Sequence, residues 1–148
     1  MHRLRDINRR FLVYGLILLV GLGVVLYETV FNKPSEECRP VRDFLEFNQE
    51  QTKVITEKGD NASIADYEGW ADGLAERSGR VTNPDLAVQA VRVADLANRF
   101  VIKLPALRAQ TNVQPGTEEQ TPAIVYEMSA INTQISDGIR ALNQSCPD

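Results

Sequence analysis

Histidine is almost missing from this chain of 148 residues, the one imidazole being His2. Without an imidazole beyond that position, Ser-His-Asp and Cys-His nucleophilic machinery and the common zinc ligand sets are excluded from the rest of the sequence. The thiols are as few: Cys38 and Cys146 are the only two, far apart and not in the C-x-x-C spacing of a redox pair. No segment has the Asp and Gly spacing of a calcium loop. Basic clusters are missing too. From residue 32 onward 18 Asp and Glu outnumber 12 Lys and Arg, so the phosphate attraction that drives nucleic-acid binding is lacking. Alternating strand-like segments, internal repeats and low-complexity tracts are absent. No enzymatic activity, no metal, no cofactor and no nucleic-acid partner are expected.

What is present begins with a long apolar run. The 21 residues from Phe11 to Phe31 contain one charge, Glu28, near one end. As a helix they would rise about 31 Å, which matches a hydrocarbon core of about 30 Å. A cleaved secretory signal would need small residues at its end, and the chain instead reads LYETVFNKPSEEC. A lipoprotein would need small residues before the modified thiol, whereas Cys38 follows Ser35, Glu36 and Glu37. A buried core helix would carry a polar stripe, and Leu12 to Leu26 carries none.

The run therefore predicts a membrane-spanning helix over 11–31. Arg3, Arg5, Arg9 and Arg10 precede it in a tail over 1–10 that should stay cytoplasmic and touch anionic headgroups, which places 32–148 outside the plasma membrane. Tyr14 and Tyr27 fall one turn inside either end, where interfacial anchors sit. Gly15, Gly21 and Gly23 scatter around the helix instead of forming one seam. With Glu28 at the outer headgroups, they are candidate contacts for a neighbouring membrane helix.

Outside the cytoplasm Cys38 and Cys146 should be oxidised to a structural disulfide. Closing a loop of that length removes on the order of 4 to 5 kcal/mol of denatured-chain entropy. Between the two thiols lie four helical patterns. The first starts near Ser35 or Pro40 and runs to Lys58, with Val41, Phe44, Leu45, Asn48, Thr52 and Ile55 on one face and Gly59 as its stop. Ser63 and Asp66 resemble a capping box for the second, which carries Ile64, Tyr67, Ala71 and Leu74 up to Gly79. Thr82 or Asn83 can cap the third, Pro84 fits its first turn, and Leu86, Ala90, Val93, Ala97, Phe100 and Leu104 face inward. Pro105 should kink or stop it. The loop TNVQPG follows. Thr121 before Pro122 then starts a last helix, with Ile124, Met128, Ile131, Ile135 and Leu142 at alternating three- and four-residue spacing. Each stripe must be buried against another helix, so the fold class is all-α: one transmembrane helix followed by a small antiparallel bundle of about four helices.

Within the second helix Ala65, Gly69 and Gly73 recur every four residues and clear a strip where another backbone can approach, either a helix of the same bundle or a separate subunit. Trp70 beside it reads as an anchor of the core or its boundary. The row Glu68, Asp72 and Glu76 reads as a solvated face, and Glu118 and Glu119 as anions favoured in a first helical turn. Asn61-Ala62-Ser63 fits a glycosylation sequon and is given no functional weight.

The plan of MHRLRDINRR, one span, CRP, a helical domain rich in Ala, Val, Asp and Arg, and a closing SCPD resembles the small single-pass envelope proteins of actinobacteria. In size and layout it is similar to accessory subunits of Mce-type lipid importers. The resemblance is one of architecture, and it implies a helper role inside an integral-membrane complex with no site to carry over. A membrane-tethered sensor or carrier is the alternative, its bundle opening near Pro105 and the following loop to admit an apolar ligand.

Overall fold

The computed structural model describes residues 35–111 and 123–147. These belong to the unit Pro34–Asp148. The expected membrane span over 11–31, its basic tail, the expected loop from 112 on, Glu118, Glu119 and the expected helix start at Thr121 and Pro122 lie outside the described residues, while Thr111, the first residue of TNVQPG, is still helical. Among the described residues no helix is long and apolar enough to cross a membrane.

Four packed helices build the domain: α1 (Arg39–Lys58), α2 (Ile64–Ser78), α3 (Pro84–Thr111) and α4 (Ala123–Ser145), with a 3-10 turn, Gly59–Asn61, after α1. Local chemistry sets their ends. Gly59 takes φ 52° and its N–H donates to the carbonyls of Ile55 and Thr56, closing α1 where a side chain would be strained. The Ser63 hydroxyl accepts from Asp66 N–H while the Asp66 carboxylate accepts from Ser63 N–H at 2.7 Å, a complete capping box. Asn83 Oδ1 accepts from the N–H groups of Asp85 and Leu86 at 3.1 and 3.2 Å, so Asn83 caps α3 and Pro84 fills the first turn.

Pro105 does not stop α3, which continues to Thr111. The carbonyl that loses its helical donor there is one lost bond. Tertiary contacts hold the last turn: Leu104 is buried, and Arg108 beyond it donates to Ala62 O at 2.6 Å, tying the end of α3 to the start of α2.

Three further pairings give the directions of the chain. Asp43, early in α1, meets Arg77, late in α2, at 3.5 Å. Lys103, late in α3, meets Glu127, early in α4, at 2.6 Å. Cys38 before α1 is bonded to Cys146 after α4, with Cα atoms 5.4 Å apart. Successive helices therefore run in opposite directions, and the two ends of the four-helix unit return to one another. Phe44, Leu74, Leu142, Val41 and Val93 are the largest fully buried apolar side chains of the core, and Cys146 lies among them. The packing is uneven. α3 lies closely against both α2 and α4, α1 rests on α2, and α1 meets α4 little and α3 least.

Candidate functional site: a groove between α1 and α4

Because α1 and α4 are joined at the disulfide and separate beyond it, a groove of about 750 Å³ opens between them. Its floor comes from the two inner helices. Tyr67 and Phe100 stack with centroids 6.0 Å apart, and Trp70 meets Phe100 edge-on at 6.2 Å. The Trp70 indole N–H donates to Asn48 Oδ1 at 2.9 Å, so the ring is buried without an orphaned donor. Leu45 and Ile55 line the α1 wall, and Ile135 and Ile139 the α4 wall.

Above these apolar groups the rim is uncharged, with Gln49, Thr52 and Thr56 on one side and Asn132, Ser136 and Asn143 on the other. Thr52 and Thr56 donate their hydroxyl protons to carbonyls one turn back on α1, each at 2.7 Å. One charge lines the groove, Arg140, toward the disulfide end. Its guanidinium also lies 3.2 Å from Asp137 Oδ1, an exposed pair one turn along α4. Among the described residues no carboxylate, thiol or imidazole lines the groove, and its hydroxyls are those of Thr52, Thr56, Tyr67 and Ser136.

The strip Ala65, Gly69 and Gly73 does not act as one surface. At Gly73 a Cβ would lie 2.1 Å from the tip of the Phe47 ring, so the cleared space is filled by a side chain of α1. Arg77 covers the other face of that ring, its guanidinium 3.8 Å from the centroid. Gly69 has nothing within 4 Å of a built Cβ, and Ala65 is exposed. Gly138 is a second close approach, where a Cβ would lie 2.5 Å from Val93 Cγ2. Glu68, Asp72 and Glu76 are all exposed, as a solvated face requires. Among the described residues no three acidic, Cys or His side chains form a group that could hold a metal.

The Asp66 carboxyl sits well below the usual carboxylate range. Asp66 is lowered from the ordinary 3.8 to about 2, first by its bond with Lys58 Nζ and then by the backbone and side chain of Ser63. These partners make it a structural cap at the corner between α1 and α2. The groove itself was outside the reach of sequence reasoning, although Tyr67, Phe100 and Ile135 all stood on inward stripes. Phe47 and Gly138 carried no periodic signal. Comparison with protein-family models, with curated proteins and with solved structures returns no match.

Proposed function

We propose that the chain is a non-enzymatic, single-pass subunit of a larger envelope complex, tethered by its helix over 11–31 and working by binding. Its N-terminus faces the cytoplasm and its helical domain is displayed on the far side of the plasma membrane. The observation that carries this reading is the groove: a sizeable concave surface, apolar at its floor, lined by no carboxylate, thiol or imidazole among the described residues. The architectural resemblance to accessory subunits of lipid importers supports a transport assembly as the setting. Gentle extraction from the native membrane, followed by native electrophoresis and mass spectrometry, should recover the chain with larger membrane proteins. Migration as a lone monomer at every expression level would refute the reading.

A second reading, a membrane-tethered lipid-binding or sensor module, is favoured by the same aromatic floor. It moves the entry from the Pro105 region to the α1–α4 flank, where the groove lies.

A further inference from the structure

We propose that the α1–α4 groove binds a single-chain anionic amphiphile, with its alkyl chain along the Tyr67–Trp70–Phe100 floor and its head at Arg140 and Asn143. The proposal rests on reading the domain as a binding module and names what that module holds.

Charge is the first ground. The chain carries more acid than base, yet the groove lining has no acid and a single base, placed at one end. A ligand with several charges would leave most of them facing apolar groups, which is costly. A ligand with one negative end and an uncharged body matches the distribution. The Arg140–Asp137 pair that would have to turn is 67% and 60% exposed, so releasing it costs little.

Hydrogen bonding along the interior points the same way. The Trp70 N–H is taken by Asn48, and the Thr52 and Thr56 protons are taken by α1's own carbonyls. An alkyl chain lying there would strand none of these donors. Gln49, Asn132 and Ser136 sit exposed on the rim and remain in water beside such a chain.

Dimensions separate this occupant from a partner helix. The α1 wall from Leu45 to Thr56 and the α4 wall from Asn132 to Asn143 each extend about 16 Å at the helical rise. A helix of that length with side chains, about 10–12 Å across, fills on the order of 1,300 Å³ or more. The groove holds about 750 Å³, so such a helix would stand partly outside it while one extended chain is contained.

Trp70 is the only tryptophan, so its fluorescence reports on the groove floor alone. The full chain in phosphatidylcholine nanodiscs should show saturable quenching by bromododecanoate and, more weakly, by the neutral bromododecanol. Arg140→Glu should weaken the carboxylate by about threefold to tenfold, an effect reduced by salt, and leave the alcohol unchanged. Ser136→Phe, a change at an exposed rim position, should block both probes while thermal melting followed by circular dichroism stays at the parent value.

Absence of saturable quenching in a folded parent would overturn the proposal. So would equal quenching of parent and Ser136→Phe, or an Arg140→Glu variant that binds the carboxylate as the parent does. If neither probe binds, and both variants instead lose a copurifying membrane protein, the groove holds a protein segment. The amphiphile then falls while the accessory role stands.

Discussion

The two flanks of the bundle are built differently. Where α3 meets α4, the chain removes a side chain altogether: Gly138 lets Val93 come so near that a Cβ would lie 2.5 Å from its methyl. Where α1 meets α4, a groove is left open and the helices are joined at one end by the Cys38–Cys146 bond. The first flank is drawn together at that contact and keeps only a smaller hollow, of about 270 Å³, beside Val93, Leu96 and Gly138. The second is held by a covalent bond at one end, with Arg42 reaching the Pro147 carbonyl beside it. A bundle can keep a cavity on one side when the opposite side supplies the core and a staple stops the outer helix from leaving.

Breaking the staple should have the largest effect. Cys38→Ser should cost about 2 to 5 kcal/mol of stability under oxidising conditions. It should also raise quenching of Trp70 by aqueous acrylamide as α1 and α4 part. Equal melting of variant and parent would show that the α1–α4 flank closes without the bond.

Gly138→Ala attacks the packed flank. Val93 is 1% exposed and its methyl would have to shift toward the small hollow beside it, so the added methyl should cost about 1 to 3 kcal/mol, less the roughly 1 kcal/mol by which Ala favours a helix over Gly. Denaturant unfolding measures the difference.

Two glycines on α2 test the comparison within one helix. Gly73→Ala should destabilise less than Gly138→Ala, because the end of the half-buried Phe47 ring can yield, although this loosens its contact with Arg77. Gly69→Ala meets nothing and should stabilise by about 0.5 to 1 kcal/mol. Equal effects at the two positions would refute the division of the strip into a filled and an open part.

The smallest effect concerns the α1–α2 corner. The Asp66 carboxyl is lowered on folding, so the stability it contributes is fully present above its unfolded value near 3.8 and is lost as pH falls toward about 2. In denaturant unfolding at pH 5 and pH 2.5, the gap between the parent and Asp66→Asn should narrow at the lower pH. A constant gap would mean that the bonds from Lys58 and Ser63 do not form in solution.

Much of the fold was legible because its signals are local. Gly59, the Ser63–Asp66 box and the Asn83–Pro84 start satisfy backbone groups within a few residues, so they read the same before and after packing. The inward stripes of α3 and α4 were likewise legible from period alone, with Leu86, Ala90, Val93, Met128, Ile131 and Ile135 all buried. Of the two outcomes expected at Pro105, a kink or a stop, the stop does not occur, because the local penalty is outweighed by the burial of Leu104 and by the bond of Arg108 to Ala62 on another element. The strip on α2 misled in part because spacing shows that room exists and cannot show what fills it.

From sequence by itself came the helical class, the pairing of the two thiols, the caps and the identity of most core residues, since each depends on short-range bonding, periodicity or the mere count of a residue type. Only the tertiary structure decided that Phe47 enters the space at Gly73, that α3 runs through its proline, and that α1 and α4 separate over an aromatic floor. Those outcomes depend on how side-chain volumes from distant parts of the chain fit together, and neighbours along the sequence carry no information about that fit.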